Sequence, residues 1–192
     1  VPVLGSVENS SLYADALSDV DVVIHAAAHK HVPLCEANPC AAISNNVNGT
    51  RNLLQAAWLR NVRTFVLVSS DKAVNPTSVM GATKRLCEIM VRKWQPAGPN
   101  VPRRIIVRFG NVLDSAGSVL PLWREQAAAG LPITLTDERC ERYFMSIPDA
   151  VELIAAVLPL EHSRAATYVF DMGAPRLLVD LAREVIKASG RE

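Results

Sequence analysis

Short apolar runs alternate with amphipathic stretches along most of this chain, and that alternation limits the possible folds more than any other feature. Four runs have the apolar, β-branched character of buried strands: residues 22–27, 63–69, 104–109 and 167–171. Helical patterns cover residues 38–60, 79–94, 119–129, 146–158 and 177–188, and residues 133–135 form a further short strand pattern. Strands separated by helices indicate βαβ units. We therefore predict an α/β fold with a mainly parallel sheet and flanking helices.

The sequence contains no glycine-rich turn of the kind that holds a dinucleotide pyrophosphate. Neither G-x-G-x-x-G nor G-x-x-G-x-x-G occurs, although the alternation of strands and helices is typical of a Rossmann-like sheet. We expect a partial Rossmann-like sheet in a segment of a longer protein, with the N-terminal glycine-rich unit missing. Residues 1–192 would form one incomplete domain. Its core would cover about residues 1–130, and about 131–192 would be mainly part of a small C-terminal substrate lobe, interleaved with the core.

Composition argues against several classes of function. The net charge is +1 and only 5% of residues are aromatic, without the basic stripe that is typical of nucleic-acid binding. The longest apolar runs are too short to cross a bilayer. Four irregularly spaced cysteines indicate reduced thiols. His25, His29 and His31 lie close together, but no carboxylate or cysteine pattern completes a set of ligands, so we expect no metal.

The segment after the second strand pattern has the strongest functional signal. Ser69, Ser70, Asp71 and Lys72 follow directly on an apolar run, at the carboxyl end of a strand, where open α/β sheets place their ligand sites. Adjacent opposite charges are by default a solvated ion pair. At a strand end, however, both side chains can turn toward one cleft. An acid and an amine that share a proton there could protonate a leaving hydroxyl and remove a carbon-bound proton.

The next helix presents Met80 and Lys84 on one face, because they lie four residues apart. Reductases that use nicotinamide commonly carry a tyrosine at the position of Met80. A methionine is usually core filler, and a lysine on a helix is usually solvated. In the functional interpretation Lys84 donates hydrogen bonds to a ribose. Met80 cannot relay a proton, so the base for an alcohol must come from elsewhere.

Other candidate positions lie near the strand ends. The small side chains of residues 26–28 would let a flat cofactor approach the backbone, and Lys30 and His31 could contact an anionic or polyol substrate. Asn46 lies in an Asn- and Gly-rich stretch that conflicts with the helical pattern around it, which marks either a functional position or close packing of helix on sheet. Arg142 is a candidate clamp for phosphate, with an ordinary surface arginine as the alternative.

Six blocks of sequence together resemble one family. In chain order they are HAAAHKHVP, NNVNGT, VSSDKAVNPTSVMGATKR, VRFGNVLDSAGSV, RYFMSIPDAVEL and DMGAPRLLVDLA. Their order is similar to that in nucleotide-sugar 4,6-dehydratases of the polysaccharide-biosynthesis type, which are extended short-chain dehydrogenases that act on UDP-N-acetylglucosamine. Methionine at position 80 resembles the branch that includes large membrane-anchored dehydratases of bacterial capsule, O-antigen and glycoprotein sugar pathways.

The resemblance implies an NAD-dependent lyase that forms a 4-keto-6-deoxy sugar nucleotide. NAD would take the C4 hydride and return it to C6 once water has left. Lys72 would be the base at C5 and Asp71 the acid at the C6 hydroxyl. Ser70 would bind the C4 oxygen and Lys84 the nicotinamide ribose, and the C4 hydroxyl proton would pass to Asp71 or through water. The NAD site would be lined by Ala26, Ala27, Ala28, Asn46, Ser69 and the Val112 backbone, and the UDP-sugar would be contacted by Lys30, His31, Asn111 and Arg142.

The resemblance also implies a setting for the protein. Related enzymes assemble through the long helices that follow Pro39 and Val79, so we expect a homo-oligomer in the cytoplasm or at the cytoplasmic face of the inner membrane, with a possible membrane anchor upstream of Val1. Residues 5–6 are Gly-Ser where related enzymes usually have Gly-Asp to hold the adenine. Because the glycine-rich turn is also missing, we expect the 192 residues alone to bind NAD poorly and to show little or no turnover.

Two other functions stay open at this point. A nucleotide-sugar epimerase on the same scaffold would need no separate acid and base for water elimination, so the Asp71–Lys72 pair argues against it. A non-catalytic remnant that only binds a nucleotide sugar or a partner gains some support from Met80 and from the missing glycine-rich turn.

Overall fold

The structure is a computed structural model, and it describes residues 2–115, 117–161 and 164–190. Contacts within the chain divide it into two units. One comprises Val1–Arg108 with Ala156–Phe170, and the other comprises Phe109–Ala155 with Asp171–Glu192. The functional division predicted near residue 130, between a cofactor-binding core and a substrate lobe, stays a prediction.

Helices and strands alternate through most of the described chain. The strands are β1 (Val22–His25), β2 (Thr64–Val68), β3 (Arg103–Arg108), β4 (Asn111–Val112), β5 (Glu141–Arg142), β6 (Phe144–Met145), β7 (Ala165–Val169) and β8 (Arg176–Leu177). The helices are α1 (Tyr13–Ala16), α2 (Val32–Ala37), α3 (Pro39–Ala42), α4 (Gly49–Leu59), α5 (Val79–Lys93), α6 (Val119–Ala129), α7 (Ile147–Val157) and α8 (Leu178–Ala188). Short 3₁₀ turns occupy Ser10–Leu12 and Asp71–Ala73, and a π-helical turn occupies Ile43–Asn48.

The first unit contains a four-stranded sheet in the order β1-β2-β3-β7, and every neighbouring pair is parallel. Val23 lies opposite Phe65, and Leu67 lies opposite Ile106. β2 and the centre of β3 are buried because apolar side chains face both sides of the sheet. β1 instead alternates exposed and buried residues. These observations confirm the predicted parallel sheet with flanking helices.

The core of the first unit lies between the sheet and the helices α4 and α5. Phe65 and Leu67 of β2 pack in one cluster with Leu54 of α4 and Val91 of α5, and none of the four is more than 1% exposed. Burying a side chain of this size stabilises the fold by about 1.5–3 kcal/mol. This core fixes β2 against α5, and the predicted catalytic segment connects those two elements.

Two consecutive arginines at the start of β3 tie the sheet to two helix ends. Arg104 is almost fully buried and donates from Nη1 to the carbonyl oxygens of Val91 (3.1 Å) and Trp94 (2.5 Å) at the end of α5. Arg103 donates to two carbonyl oxygens that follow α7. Carbonyls at helix C-termini lack partners within the helix and carry partial negative charge, so a guanidinium stabilises them. The sequence analysis did not predict these contacts.

The core of the second unit is formed by α6 and α8. Leu120 and Trp123 of α6 pack with Leu181 and Val185 of α8. Two short strand pairs lie in the same unit, a parallel pair of β4 with β6 and an antiparallel pair of β5 with β8.

The short strand predicted at residues 133–135 is wrong, because this stretch has no regular structure. The carbonyl oxygen of Thr134 accepts a hydrogen bond from the Trp123 indole at 2.9 Å, and its N–H donates to Oε1 of Gln126 at 3.2 Å. Side chains of α6 therefore satisfy the backbone groups that a neighbouring strand would otherwise pair.

The single helix predicted over residues 38–60 is also wrong in detail. α3 begins at Pro39, the chain then widens into the π-helical turn, and α4 continues to Leu59. The preceding helix α2 was not predicted. β1 ends at His25, two residues earlier than expected, so residues 26–28 lie in an irregular segment. The predicted boundaries of α5, α6, α7 and α8 agree with the structure to within about one residue.

None of the helices in the described part of the chain is long and apolar enough to cross a membrane. All four cysteines are free. Among the described residues, no group of three or more His, Cys, Asp or Glu side chains is arranged to hold a metal ion.

Candidate active site

The segment after β2 forms a hydrogen-bonded turn at the carboxyl end of the sheet. Ser69 continues the ladder, because its N–H donates to the carbonyl oxygen of Val107 at 2.8 Å. Ser70 is extended, with φ −151° and ψ 158°, and caps the 3₁₀ turn Asp71–Ala73 by accepting a hydrogen bond from the N–H of Lys72. We call residues 70–73 the catalytic turn, after the roles predicted for them.

Asp71 and Lys72 form one hydrogen-bonded acid–amine pair in this turn. Oδ1 of Asp71 accepts from the Ser70 hydroxyl at 2.8 Å, from the N–H of Lys72 at 2.9 Å and from Nζ of Lys72 at 3.0 Å. The Asp71 side chain is 40% exposed and the Lys72 side chain 33% exposed. The pair is therefore accessible to a ligand, and water would have to leave before the two groups met a substrate in a dry environment.

Lys84 lies buried beneath the same strand end. Its Nζ donates to the carbonyl oxygen of Val68, the last residue of β2, at 2.9 Å. Burial lowers the pKa of Lys84, and the neighbouring Cys87 and Glu88 partly oppose that shift. An ammonium has three hydrogens, so this cation can still donate to a ligand at the strand end.

Met80 has a packing role in the structure. It is buried with Cys35 and Ala42, and Val32 and Val79 pack against the same cluster. The N-terminus of α5 is fixed nearby, since Ser78 caps it through the N–H of Gly81 and Oε1 of Glu36 accepts from the N–H of Val79 at 2.6 Å. These contacts attach α2 to the helix that carries Lys84.

Asn46 holds the loop that follows β1, residues 26–31, which we call the β1 loop. Its Oδ1 accepts from the N–H of His29 at 2.7 Å, and its Nδ2 donates to the carbonyl oxygen of His29 at 3.0 Å and to the Thr83 hydroxyl at 2.9 Å. Both amide hydrogens are thus donated within the protein. This clamp explains the Asn-rich stretch in a helical region, because the π-helical turn brings a buried amide against the β1 loop and α5 at once.

The β1 loop presents the other residues predicted from the first strand end. Ala26 and Ala27 are exposed and Ala28 is half-buried, so their backbone is covered by nothing larger than methyl groups. Lys30 and His31 are exposed. Partial burial and the cation of Lys72 lower the pKa of Lys30, so the structure brings this lysine within electrostatic reach of the catalytic turn.

His25 is a buried neutral histidine at the end of β1. The Thr50 hydroxyl donates to the carbonyl oxygen of Asn46 at 2.5 Å, so its oxygen accepts the hydrogen of His25 Nε2 at 2.8 Å. Burial, and to a lesser degree the nearby Lys84 cation, lowers the pKa of His25 to about 4. The imidazole therefore stays uncharged beside Lys84 at neutral pH.

We expect this histidine to make folding sensitive to acid. In the unfolded chain its pKa returns to about 6.5, so stability is complete above that pH and falls as the pH drops toward 4. The loss is about 2 kcal/mol between pH 7.5 and pH 5. Urea unfolding of the full-length protein and of its His25→Gln variant at both pH values measures it. The variant should have the smaller pH dependence, and equal dependences would refute the assignment.

A buried ionic network, missed in the sequence analysis, lies directly behind the catalytic turn. Glu88 of α5 is fully buried and accepts from the Ser69 hydroxyl at 2.7 Å, from Nε and Nη2 of Arg108 at 2.7 and 2.5 Å, and from Arg85 at 3.0 Å. Burial alone would raise the pKa of Glu88, but the hydrogen bonds from Arg108, Ser69 and Arg85 outweigh it and lower that pKa. The Ser69 hydroxyl, predicted at the cofactor site, is engaged in this network.

One sequence signal could have revealed Glu88. Met80, Lys84 and Glu88 lie four residues apart in succession, and residues at that spacing share one face of a helix. Because this face of α5 is buried and contains both the Lys84 cation and the Glu88 anion, groups of the sheet must pair with them. Arg108, the last residue of β3, is the partner at this edge.

The remaining predicted site residues belong to the second unit. Asn111 and Val112 form β4, and the N–H of Asn111 donates to the carbonyl oxygen of Tyr143 at 3.0 Å. Arg142 is exposed and donates to the carbonyl oxygen of Glu141 at 2.7 Å. Their predicted contacts with NAD and the UDP-sugar stay predictions.

The sequence matches one known protein family over its whole length. A family described as "Polysaccharide biosynthesis protein" matches residues 1–192, the whole length of the sequence. The chain belongs to this polysaccharide biosynthesis family. Among similar proteins, the capsular polysaccharide biosynthesis protein CapD of Staphylococcus aureus is 43% identical over 194 residues, which cover 100% of this chain and 32% of CapD.

Proteins named as UDP-glucose 4-epimerases are also similar to this chain. A UDP-glucose 4-epimerase of Rickettsia typhi is 36% identical over 185 residues, which cover 96% of this chain and 53% of the epimerase. The chain thus spans about a third of CapD and about half of the epimerase. The family resemblance predicted from the sequence is confirmed at the level of polysaccharide biosynthesis proteins related to nucleotide-sugar enzymes.

Solved structures support the fold of this chain. The X-ray structure of Pen from Bacillus thuringiensis superposes with a TM-score of 0.92 at 33% identity, over 99% of this chain and 60% of Pen. DesIV, a dTDP-glucose 4,6-dehydratase from Streptomyces venezuelae determined with NAD and TYD bound, gives a TM-score of 0.87 at 24% identity, over 98% of this chain and 63% of DesIV. The Rossmann-like architecture is therefore confirmed.

Proposed function

We propose that the protein catalyses the NAD-dependent elimination of water from a UDP-N-acetylhexosamine, with UDP-N-acetylglucosamine as the substrate and a 4-keto-6-deoxy sugar nucleotide as the product. The observation that supports this lyase activity most directly is the Asp71–Lys72 pair, whose 3.0 Å hydrogen bond lies at the carboxyl end of the central strand β2. Elimination across C5 and C6 needs one base and one acid close together, and this pair provides both.

The residues around the strand ends fit NAD. The β1 loop has only alanine methyl groups over its backbone at residues 26–28, and a buried Lys84 cation lies under the adjacent end of β2. In this proposal Lys84 donates hydrogen bonds to the nicotinamide ribose, and Asn46 fixes the β1 loop against which the cofactor lies. Bound NAD would supply hydride acceptance at C4 and hydride return at C6.

The chain's own residues would move the protons. An oxidised C4 makes the C5 hydrogen acidic, and Lys72 in its amine form takes that proton. Asp71 in its acid form gives its proton to the C6 oxygen, which leaves as water. The Ser70 hydroxyl, which donates to Asp71 in the structure, would turn to donate its one hydrogen to the C4 oxygen. When the hydride returns to C6, the ammonium of Lys72 would give a proton to C5. The proton released from the C4 hydroxyl would restore the acid form of Asp71, so the pair, joined by the 3.0 Å contact between Nζ of Lys72 and Oδ1 of Asp71, ends as it began.

The environment of Met80 agrees with this assignment of roles. Its side chain is buried in one cluster with Cys35 and Ala42, and its thioether carries no proton to exchange. The C4 hydroxyl proton would therefore pass to Asp71 or through water. Lys30, His31, Asn111 and Arg142 would contact the UDP-sugar.

The proposed setting is a homo-oligomer of the full-length protein, in the cytoplasm or at the cytoplasmic face of the bacterial inner membrane, in surface polysaccharide or glycan synthesis. Leu86 and Ile89 on α5 and Leu59 on α4 are apolar side chains with at least 40% exposure. Exposed apolar side chains on the long helices support assembly through them.

Product mass tests the proposed reaction. The full-length protein, incubated with NAD and UDP-N-acetylglucosamine, should give a sugar nucleotide lighter than the substrate by one water. A product of unchanged mass would favour the epimerase alternative, which the similarity to the Rickettsia typhi enzyme supports. Binding of UDP-N-acetylglucosamine in calorimetry without any product would favour a non-catalytic nucleotide-sugar-binding protein. Either result would overturn the proposal.

A further inference from the structure

Gly81 lies unusually close to the catalytic turn. A Cβ atom built on this glycine would lie 2.4 Å from the carbonyl oxygen of Lys72, 3.3 Å from the carbonyl carbon of Lys72 and 3.2 Å from Cβ of Pro76. Real Cβ atoms essentially never approach another heavy atom to less than 3.0 Å. The backbone of the turn therefore rests directly on the backbone of α5, and any side chain at position 81 would separate them.

The glycine is not required by the backbone conformation. Gly81 is the third residue of α5, its N–H is bound by the Ser78 cap, and it is not among the residues with positive φ. In a helix alanine is more favourable than glycine by about 0.8–1 kcal/mol. The contact with Lys72, and not the helix, accounts for glycine at this position.

The turn has little freedom to absorb a displacement locally. The N–H of Lys72 is bound by Ser70 and Asp71, and Ala73 is fully buried, with its N–H donated to the carbonyl oxygen of Ser70. On the other side of the contact, Lys84 is anchored to Val68 through Nζ. The approach of the turn to the helix thus sets where Lys72 lies relative to Lys84.

From this contact we infer that Gly81 is a positioning residue for the proton transfer at C5. The inference rests on the proposed function. A methyl group at position 81 would force the carbonyl oxygen of Lys72 from 2.4 Å to at least 3.0 Å from the new Cβ, a shift of about 0.6 Å. Misplacement of a catalytic group by about 1 Å can lower a rate by about 10²-fold, whereas groups that only bind the nucleotide are not on this turn.

The test compares Gly81→Ala with the wild type in the full-length protein, after the wild type has been shown to release water from UDP-N-acetylglucosamine. We expect kcat to fall by about 10- to 100-fold, with KM changed by less than about threefold and the thermal unfolding midpoint preserved. Exchange of the C5 hydrogen with solvent deuterium should slow in proportion to kcat. Oxidation at C4 should continue, and it is measured in a single turnover by the absorbance of reduced nicotinamide.

Gly49→Ala is the matched control, because it is also a glycine-to-alanine change at the start of a helix. A Cβ there would lie 2.8 Å from a side-chain methyl group of Val7, which can move, and it does not contact the catalytic turn. Its kcat should equal that of the wild type.

Full kcat in Gly81→Ala would overturn the inference, and so would a loss of C4 oxidation equal to the loss of C5 exchange. A Gly81→Ala variant that fails to fold would also overturn it, since the close contact would then serve the stability of the fold and not the position of Lys72. A wild type without dehydration would refute the proposed function instead.

Discussion

Replacement of Lys72 with alanine is expected to lower the rate of water elimination by about 10³-fold or more, because it removes the base at C5 and leaves Asp71 without its amine partner. The substituted side chain is 33% exposed, so the fold should tolerate its removal. Oxidation at C4 does not use this amine and should persist. Steady-state turnover, followed by product mass, and single-turnover nicotinamide absorbance measure the two steps separately.

Lys93→Ala is a suitable control, since Lys93 is an exposed lysine in the last turn of α5. That variant should match the wild type in both steps. Water elimination by Lys72→Ala at a rate within tenfold of the wild type would remove Lys72 from the mechanism. A loss of C4 oxidation in Lys72→Ala would indicate instead that this side chain helps to bind the cofactor or the sugar.

Loss of the Glu88 carboxylate is expected to destabilise the protein by about 3 kcal/mol or more, because breaking a buried ion pair leaves an unpaired buried charge. Arg108 is only 15% exposed and would keep its guanidinium without a counterion, and the Ser69 hydroxyl would lose its acceptor. Urea unfolding of Glu88→Ala and Glu88→Gln in the full-length protein measures the free energy of unfolding. The glutamine variant should lose less than the alanine variant, because it keeps an acceptor for Ser69.

The matched comparison is Arg85→Ala, which removes the exposed partner of the same carboxylate. Arg85 contacts Glu88 at 3.0 Å, but its side chain is 40% exposed, and pairs of this kind contribute at most about 1 kcal/mol. Equal effects of Arg85→Ala and Glu88→Ala would contradict the view that the buried Arg108 contact dominates. A loss below about 0.5 kcal/mol in Glu88→Gln would do the same.

Local pattern was sufficient to predict the elements that form the candidate site. The apolar run before Ser69 and the Met80/Lys84 spacing predicted β2 and α5 nearly to the residue, since both signals come from side chains close in sequence. The strand predicted at residues 133–135 failed because α6 side chains satisfy Thr134. Local sequence periodicity does not predict a contact of that kind.

The contacts that hold the site together were beyond the sequence pattern. Glu88 meets Arg108 across 20 residues and Asn46 meets Thr83 across 37 residues. The four-residue spacing of Met80, Lys84 and Glu88 places Glu88 on one face of α5 with the other two, but local periodicity does not identify its partner on the sheet. The significance of Gly81 was hidden for a different reason. A glycine in the first turn of a helix has no sequence signature that distinguishes close approach of another backbone from ordinary variation.

The origin of the C5 hydrogen in the product tests the central claim most directly. The full-length protein should be incubated with NAD and UDP-N-acetylglucosamine in deuterated water, and the product examined by mass spectrometry and proton NMR. A catalytic turn that removes the C5 proton and expels the C6 hydroxyl predicts a 4-keto-6-deoxy product, lighter by one water and carrying solvent deuterium at C5. An isobaric product, or a dehydrated product that keeps its original hydrogen at C5, would contradict the account.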